Sequence, residues 1–424
     1  MEKKTVGISD MSLFVPTARI SLASILQRRA AEDPSFERRL RRAIESTEQV
    51  SLRFTRRWQD PVTMAAQASR ILLLRTDAAP SIRYFGVGTE SSVDMSKPIA
   101  AYAHGALQRS GVPLPRELST FQVQHACAGG TIAMMSIAGM LQAAGRNGER
   151  GLVVCSDVAR YDTPSTAEIT QGAGAVAMLI EENPQLLELD LTTVGLASND
   201  VDDFFRPLPS ITSRVKGRYS VECYNEALDT AFLDHARRSG DDPKTLLHNT
   251  DLFVVHVPFY KMAITGMTRL VEHYLGVSPS DAHEFLNTHH FYEGIEAARY
   301  IGNIYSGSAY MSLMFALWRR WKVEGAGIVG KRITLASYGS GNTMSVIGAR
   351  VAKDAPAVLA EWDLQEILDS GADASVEAYR EFVAKDTYTW ETGEVCDGHE
   401  VEGGEYFLRS IRDDGYREYD FLAV

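Results

Sequence analysis

The chain has 424 residues, 45% of them hydrophobic, and a formal net charge of −12. That length provides for about two to three domain equivalents with ample core, and the acidic balance disfavours nonspecific contact with nucleic acid or an anionic membrane. Its four cysteines, Cys127, Cys155, Cys223 and Cys396, are far apart and form no CxxC pair. This argues against a zinc site or a disulfide framework and fits a reducing compartment.

Met1-Glu2-Lys3-Lys4 runs directly into strand-like Thr5 to Ile8, without the basic-then-apolar opening of a secretory leader. No apolar run approaches ~18 residues, so a cytoplasmic protein with no membrane span is expected. An arginine-rich stretch follows: Arg38, Arg39, Arg41, Arg42, Arg53, Arg56 and Arg57. It reads either as a solvated helix face or as a docking surface for an anionic partner. Strand-like and helix-like runs then alternate, which predicts an α/β layered architecture. The strands are expected at Arg83–Val87, Phe121–Val123, Gly151–Cys155, Ala175–Ile180, Leu252–His256 and Ile333–Ser337. Between them, helices are expected at Pro61–Leu74, Ile132–Ala144, Tyr224–Arg238, Tyr260–Tyr274 and Tyr310–Val323. Leu191 to Arg218, with Pro207, Pro209 and Gly217, reads as a looser joint between two halves, 1–190 and 191–424. From Asp354 on, the acidic, tyrosine-rich tail reads as a surface appendage.

Five segments carry chemistry. His125-Ala126-Cys127-Ala128-Gly129-Gly130-Thr131 stands between the strand-like run Ser119–Val123 and an apolar helix. Cys127 at that junction is a candidate nucleophile, its thiolate stabilised by the helix end, with small neighbours that let backbone N–H groups approach a ligand. Its alternative is a buried structural cysteine. Gly88 to Asp94 leaves a strand and places Glu90 just past its end, as a general base or a helix-start acid. His256 closes the strand Leu252–Val255, where an imidazole either shuttles a proton or is simply satisfied in the core. Gly302–Ser308 and Ser337–Gly341 suit backbone-lined pockets, bringing Asn303 and Ser340 forward. His283, His289 and His290 make a poor metal set, and packing roles are expected for them. Gly172-Ala173-Gly174-Ala175-Val176-Ala177 fits G-x-G-x-x-A, yet a strand rather than a helix follows it, so no dinucleotide site is expected.

Taken together, Cys127, Glu90, His256 and Asn303 resemble the site of the 3-hydroxy-3-methylglutaryl-CoA (HMG-CoA) synthase family within the thiolase superfamily. The likeness runs from Gly7 to about Arg350. It includes Ser156–Tyr161, Thr170–Ala177, Asp203–Pro207, Gly217–Ser220 and His256–Met262, in the family's order. Ala128 departs from the family, which usually has tyrosine after the nucleophile.

The resemblance implies a thiolase-like αβαβα fold of two similar halves, usually a homodimer. It implies an acyltransferase in which Cys127 takes an acetyl group from acetyl-CoA. Glu90 then removes a methyl proton, the carbanion equivalent attacks acetoacetyl-CoA, and His256 serves the forming alkoxide. Tyr161 and Thr170 would line the acyl pocket, Asn303 and Ser340 would position substrate, and Lys261 would meet the CoA moiety. No metal or redox cofactor is implied; the partners are CoA thioesters. Two other enzyme readings stay open. One is a polyketide β-branching relative that uses acyl carrier protein, with which the arginine cluster is compatible. The other is a ketoacyl synthase III-like acyltransferase, suggested by Ala-Cys-Ala-Gly but weakened by Glu90.

Overall fold

The computed structural model describes residues 5–384 and 392–424. Nine strands form the central sheet: β1 (Val6–Phe14), β2 (Ile82–Gly88), β3 (Ser119–Val123), β4 (Arg150–Ala159), β5 (Gly172–Glu182), β6 (Leu187–Ser198), β7 (Leu252–Val255), β8 (Arg332–Gly339) and β9 (Thr343–Val351). Their order across the sheet is β7-β8-β9-β6-β1-β5-β4-β2-β3. The strands β2, β3 and β4 run parallel, as do β7 and β8, while β5 and β9 return antiparallel. Parallel strands buried on both faces need apolar side chains throughout, which Leu252-Phe253-Val254-Val255 and Leu152-Val153-Val154 supply.

One wiring pattern occurs twice. β1, the helix Pro61–Thr76, β2, the helix Ile99–Arg109, β3, the helix Gly129–Ala144, β4 and β5 follow in chain order. The second set is β6, the helix Gly217–Ser239, β7, the helix Tyr260–Leu275, the helix Ser308–Glu324, β8 and β9. Two short helices, Pro279–Thr288 and Phe291–Ile295, stand where β3 would be. The repetition dictates where chemistry can sit. Glu90 follows β2 as His256 follows β7, and Cys127 precedes its buried helix as Tyr305 precedes Ser308–Glu324. This is the layered α/β architecture expected from the sequence.

Register aligns the functional strand ends. Gly88 faces Val123 on one side and Cys155 on the other, so the loops after β2, β3 and β4 emerge side by side. Glycine is required there by close approach. A Cβ on Gly88 would lie 2.0 Å from the Gly130 nitrogen, and one on Gly130 would lie 2.1 Å from Cys155 Sγ. The pair Gly129–Gly130 therefore lets the helix start lie on the sheet. Gly88→Ala is expected to cost roughly 3 kcal/mol because backbone, not a flexible side chain, blocks the methyl group. An unchanged urea midpoint would contradict this.

The sequence expectations change in two further places. Leu191–Arg218 is not all joint: residues up to Ser198 complete β6, Gly217 and Arg218 open the helix Gly217–Ser239, and the stretch between crosses the site. The tail is no appendage. Tyr379 and Phe382, on the helix Val376–Ala384, are buried against Phe54. The strands Tyr406–Ile411 and Arg417–Phe421 cover the helices Pro61–Thr76 and Ile99–Arg109, and Tyr419 donates to Asp60 at 2.7 Å. Alternation in these strands is short and tyrosine-rich, so the signal resembles a polar surface although Tyr406, Leu408 and Tyr419 face inward.

Candidate active site

The turn before the helix Gly129–Ala144 carries the nucleophile candidate. Ala126 has φ of +41°, a left-handed conformation costly for a residue with a Cβ, in the tight turn just before Cys127. Cys127 is 7% exposed and donates through Sγ to Glu90 Oε1 at 3.2 Å. The strand ends have brought together two residues separated by 37 positions in the chain.

Burial sets both protonation states. Desolvation pushes Glu90 up to about 7, Asp157 adds to the rise, and Arg206 and the Cys127 hydrogen bond oppose it. Cys127 is driven well above its ordinary range, first by burial and then by the Glu90 carboxylate. The resting group is thus a thiol with a carboxylate acceptor, not the helix-stabilised thiolate expected from the sequence. Deprotonation accompanies attack, with Glu90 in place to receive the proton.

An aromatic wall encloses the sulfur. Cys127, Ala159, Tyr161, Phe204 and Tyr305 form one buried cluster. The rings of Tyr161, Phe204 and Tyr305 meet edge to face, with centroids 5.9–6.3 Å apart. Asn303 organises the Tyr305 side of this wall. Its Oδ1 accepts from Tyr305 N and from Ser308 Oγ, both at 2.8 Å, and its Nδ2 donates to Tyr161 Oη at 3.4 Å. Thr170 stands behind it and accepts the Asn303 N–H through its carbonyl at 3.1 Å. Close approach explains the glycines of the rejected dinucleotide pattern: Gly172 lies in β5, where a Cβ would be 2.5 Å from the Asn303 carbonyl.

Asp157 ties the two repeated units together. It ends the apolar run of β4, is fully buried, and accepts six hydrogen bonds. Thr89 Oγ1, Glu90 N, Ser91 N and Ser91 Oγ reach Oδ1, while Ser306 N and Ser306 Oγ reach Oδ2. One carboxylate thereby fixes the Glu90 loop against the turn that carries Tyr305.

His256 is 2% exposed at the end of β7, with its backbone N–H bonded to Ala336. Its Nδ1 has no protein partner among the described residues, and burial lowers the ring to about 3. The imidazole is neutral near pH 7. It can donate one N–H to an oxyanion but does not begin as a cation. Glu90 and His256 are therefore perturbed in opposite directions by the same cause.

The remaining candidates divide. Ser340 is half-buried and follows Gly339, where a Cβ would lie 2.7 Å from the Ala128 methyl group, so the turn after β8 borders the nucleophile turn. Ala128 faces that turn and lies outside the aromatic cluster around Cys127. Lys261 is 43% exposed and pairs with Glu48 at 2.7 Å, at the protein's surface. The arginine stretch does not form one surface. Arg38, Arg39, Arg41 and Arg42 are exposed on the helix Pro34–Thr47, whereas Arg53 is buried and donates to the carbonyls of Pro16, Ile367 and Leu368. His283, His289 and His290 are engaged by the Tyr292 hydroxyl, the Phe285 carbonyl and Glu293.

Sequence reasoning gave no role to Asp157, Arg206, Phe204, Tyr305 or Ser306. A signal existed for Asp157, since an aspartate inside Leu152–Ala159 breaks an otherwise buried strand and must find donors. Arg206 and Phe204 stood out only as part of the Asp203–Pro207 stretch of the family likeness, because the loop that delivers them has no local periodicity to assign them a place.

A 770 Å³ cavity leads to this wall, lined by Arg28, Tyr161, Thr163, Thr212 and Arg380 among others. Comparison with known proteins agrees with the geometry. Residues 2–185 match the family description "Hydroxymethylglutaryl-coenzyme A synthase N terminal", and residues 189–284 and 286–421 match its C-terminal counterpart. The chain belongs to the hydroxymethylglutaryl-CoA synthase family. Among the curated synthases, that of Enterococcus faecalis is 30% identical over 80% of this chain and 80% of its own length. That of Haloferax volcanii is 28% identical, covering 82% and 84%. The structure of MvaS in complex with 3-hydroxy-3-methylglutaryl coenzyme A superposes with a TM-score of 0.84 at 29% identity, over 99% of this chain and 100% of the other. The HMG synthase of the curacin biosynthetic pathway gives a TM-score of 0.85 over the same shares, at 21% identity, and so shows the shared fold alone.

Proposed function

We propose that this synthase-family chain condenses acetyl-CoA with acetoacetyl-CoA to give HMG-CoA and free CoA, through an acetyl group carried on Cys127. The Cys127–Glu90 contact at 3.2 Å carries the reading. The thiol attacks the acetyl-CoA carbonyl, and its proton passes to Glu90 and on to the departing CoA sulfur, so that CoA leaves as the thiol and Glu90 is again a carboxylate. On the acetylated sulfur the methyl group lies two bonds from Sγ, within reach of the same carboxylate. Glu90 removes one methyl proton and the carbon attacks the 3-keto group of acetoacetyl-CoA. Neutral His256 hydrogen-bonds the developing alkoxide through its N–H, and the proton that Glu90 took from the methyl group ends on that oxygen. Water then cleaves the Cys127 thioester and releases the product, so the reaction balances with two thioesters, water and these side chains.

Tyr161 and Thr170 bound the acyl pocket, Asn303 and Ser340 orient the acceptor, and the cavity beside Arg28 and Arg380 admits the pantetheine chain. Lys261 meets the CoA phosphates at the surface. Two copies pair through the free edge of β3, whose Ser119–Val123 backbone has a strand neighbour on one side only. A carrier-protein-bound acceptor is the second reading, favoured by the four arginines exposed on Pro34–Thr47. Incubation with labelled acetyl-CoA should place label on Cys127. Chasing with acetoacetyl-CoA should release it as HMG-CoA, whereas release only by acetoacetyl carrier protein would favour the second reading. No label on Cys127 would end both.

A further inference from the structure

We infer that Arg206 is the positioning residue of the base: its guanidinium holds the Glu90 carboxylate and main chain in the geometry that proton removal requires. The inference rests on the condensing reading above and assigns a role to a residue outside the Cys-Glu-His set. Arg206 arrives from the loop over the site, just after the short strand Phe204–Phe205. Its Nη1 donates to the Glu90 carbonyl oxygen, and its Nη2 lies 3.4 Å from Glu90 Oε2. The two side chains are 9% and 7% exposed, so the contact is screened little by water.

The guanidinium is itself held. Ser213 Oγ accepts from Nε and Nη2, both at 3.2 Å, and the Tyr305 ring lies 5.7 Å away. One oxygen of Glu90 is thus held by the cation while the other stays turned to Cys127. A carboxylate rotated about its bond would lose the sulfur contact.

Among the described residues, the Cys127 thiol and the phenols of Tyr161 and Tyr305 are neutral neighbours of Glu90, Asp157 contributes repulsion, and Arg206 is the cation that acts on it. Removing it leaves burial and Asp157, both of which favour protonated Glu90, opposed only by the Cys127 hydrogen bond among the groups named. The rate of a step that needs the carboxylate would then rise only at higher pH.

The test uses the full chain with Arg206→Met and Arg206→Lys, reading thermal unfolding, acetyl-Cys127 formation and the pH profile of condensation. For Arg206→Met, acetyl-enzyme should still form. The kcat for condensation should fall about tenfold or more, and the acidic limb should move up by about one pH unit or more. The lysine variant should recover most of the limb position and less of kcat, since it keeps the charge but not the fork. A methionine profile that superimposes on that of the parent would overturn the assignment. So would equal shifts in both variants, which would indicate packing alone. Should Arg206→Met not fold, Ser213→Ala carries the test, with a smaller shift in the same direction expected and no shift counting against. Failure of the parent to acetylate Cys127 would instead strike the condensing reading, without reference to Arg206.

Discussion

Glu90→Ala is expected to retain acetyl transfer onto Cys127 while condensation falls by about 10²–10⁴-fold, the range for loss of a positioned acid–base group. The two steps depend on Glu90 differently. In the free enzyme the carboxylate both accepts the thiol proton and, by its charge, disfavours the thiolate. Its removal takes away an acceptor but also lowers the cost of ionising the sulfur, so attack on acetyl-CoA survives. The acetyl methyl group has no such compensation, because Asp157, the carboxylate whose charge reaches Glu90, has both oxygens occupied. Glu90→Gln isolates the charge, since it keeps the shape and an acceptor for the thiol.

The pH dependence has a definite sign. Glu90 is raised to about 7, and the base form is the ionised one, so condensation in the parent should climb with pH through that region. His256, lowered to about 3, stays neutral throughout and adds no acidic limb above pH 5. In Glu90→Gln the rise near pH 7 should vanish. Quench-flow measurement of acetyl-Cys127 and steady-state condensation across pH 5.5–8.5 reads both outcomes. A variant that condenses at the parental rate would remove Glu90 from the mechanism.

What the sequence revealed of this site depended on strand ends. Glu90, Cys127 and His256 each follow a recognisable apolar run, and in a parallel sheet the carboxyl ends of such runs gather side chains. Their types could therefore be read as a set before their contact was known. The protonation of Cys127 and its base could not, because it depends on how completely Tyr161, Phe204 and Tyr305 exclude water, and those three come from distant parts of the chain. Arg206 was hidden for the same reason: its loop crosses 116 positions to reach Glu90. The tail from Asp354 was misread because Tyr379, Tyr406 and Tyr419 bury their rings while keeping a hydroxyl bonded, and composition alone scores them as surface.

Asp157→Asn tests whether the two repeated units act as one site. The parent carboxylate is pushed up by burial and held down by its donors, which stabilise the charged form. Some of those donors have an alternative. Thr89 Oγ1 can turn to the Ser156 carbonyl at 2.9 Å, and Ser306 Oγ to the Gly88 carbonyl at 3.0 Å. The N–H groups of Glu90 and Ser306 have no second acceptor among the described residues. In Asp157→Asn one of these two N–H groups must face an amide NH₂, so one buried donor is orphaned at a cost of about 1–3 kcal/mol. In Asp157→Ala both are orphaned, and roughly 2–6 kcal/mol is expected. The functional loss should exceed what stability alone predicts, because the Glu90 loop and the Tyr305–Ser306 turn would no longer share an anchor. Condensation by Asp157→Asn should therefore fall at least about tenfold at a temperature where the variant is fully folded, with the acetyl-enzyme accumulating. Urea titration and acetyl-Cys127 burst measurements on the same samples separate the two effects. Parental condensation in a destabilised variant would reduce Asp157 to a core anchor and leave Arg206 to position the base alone.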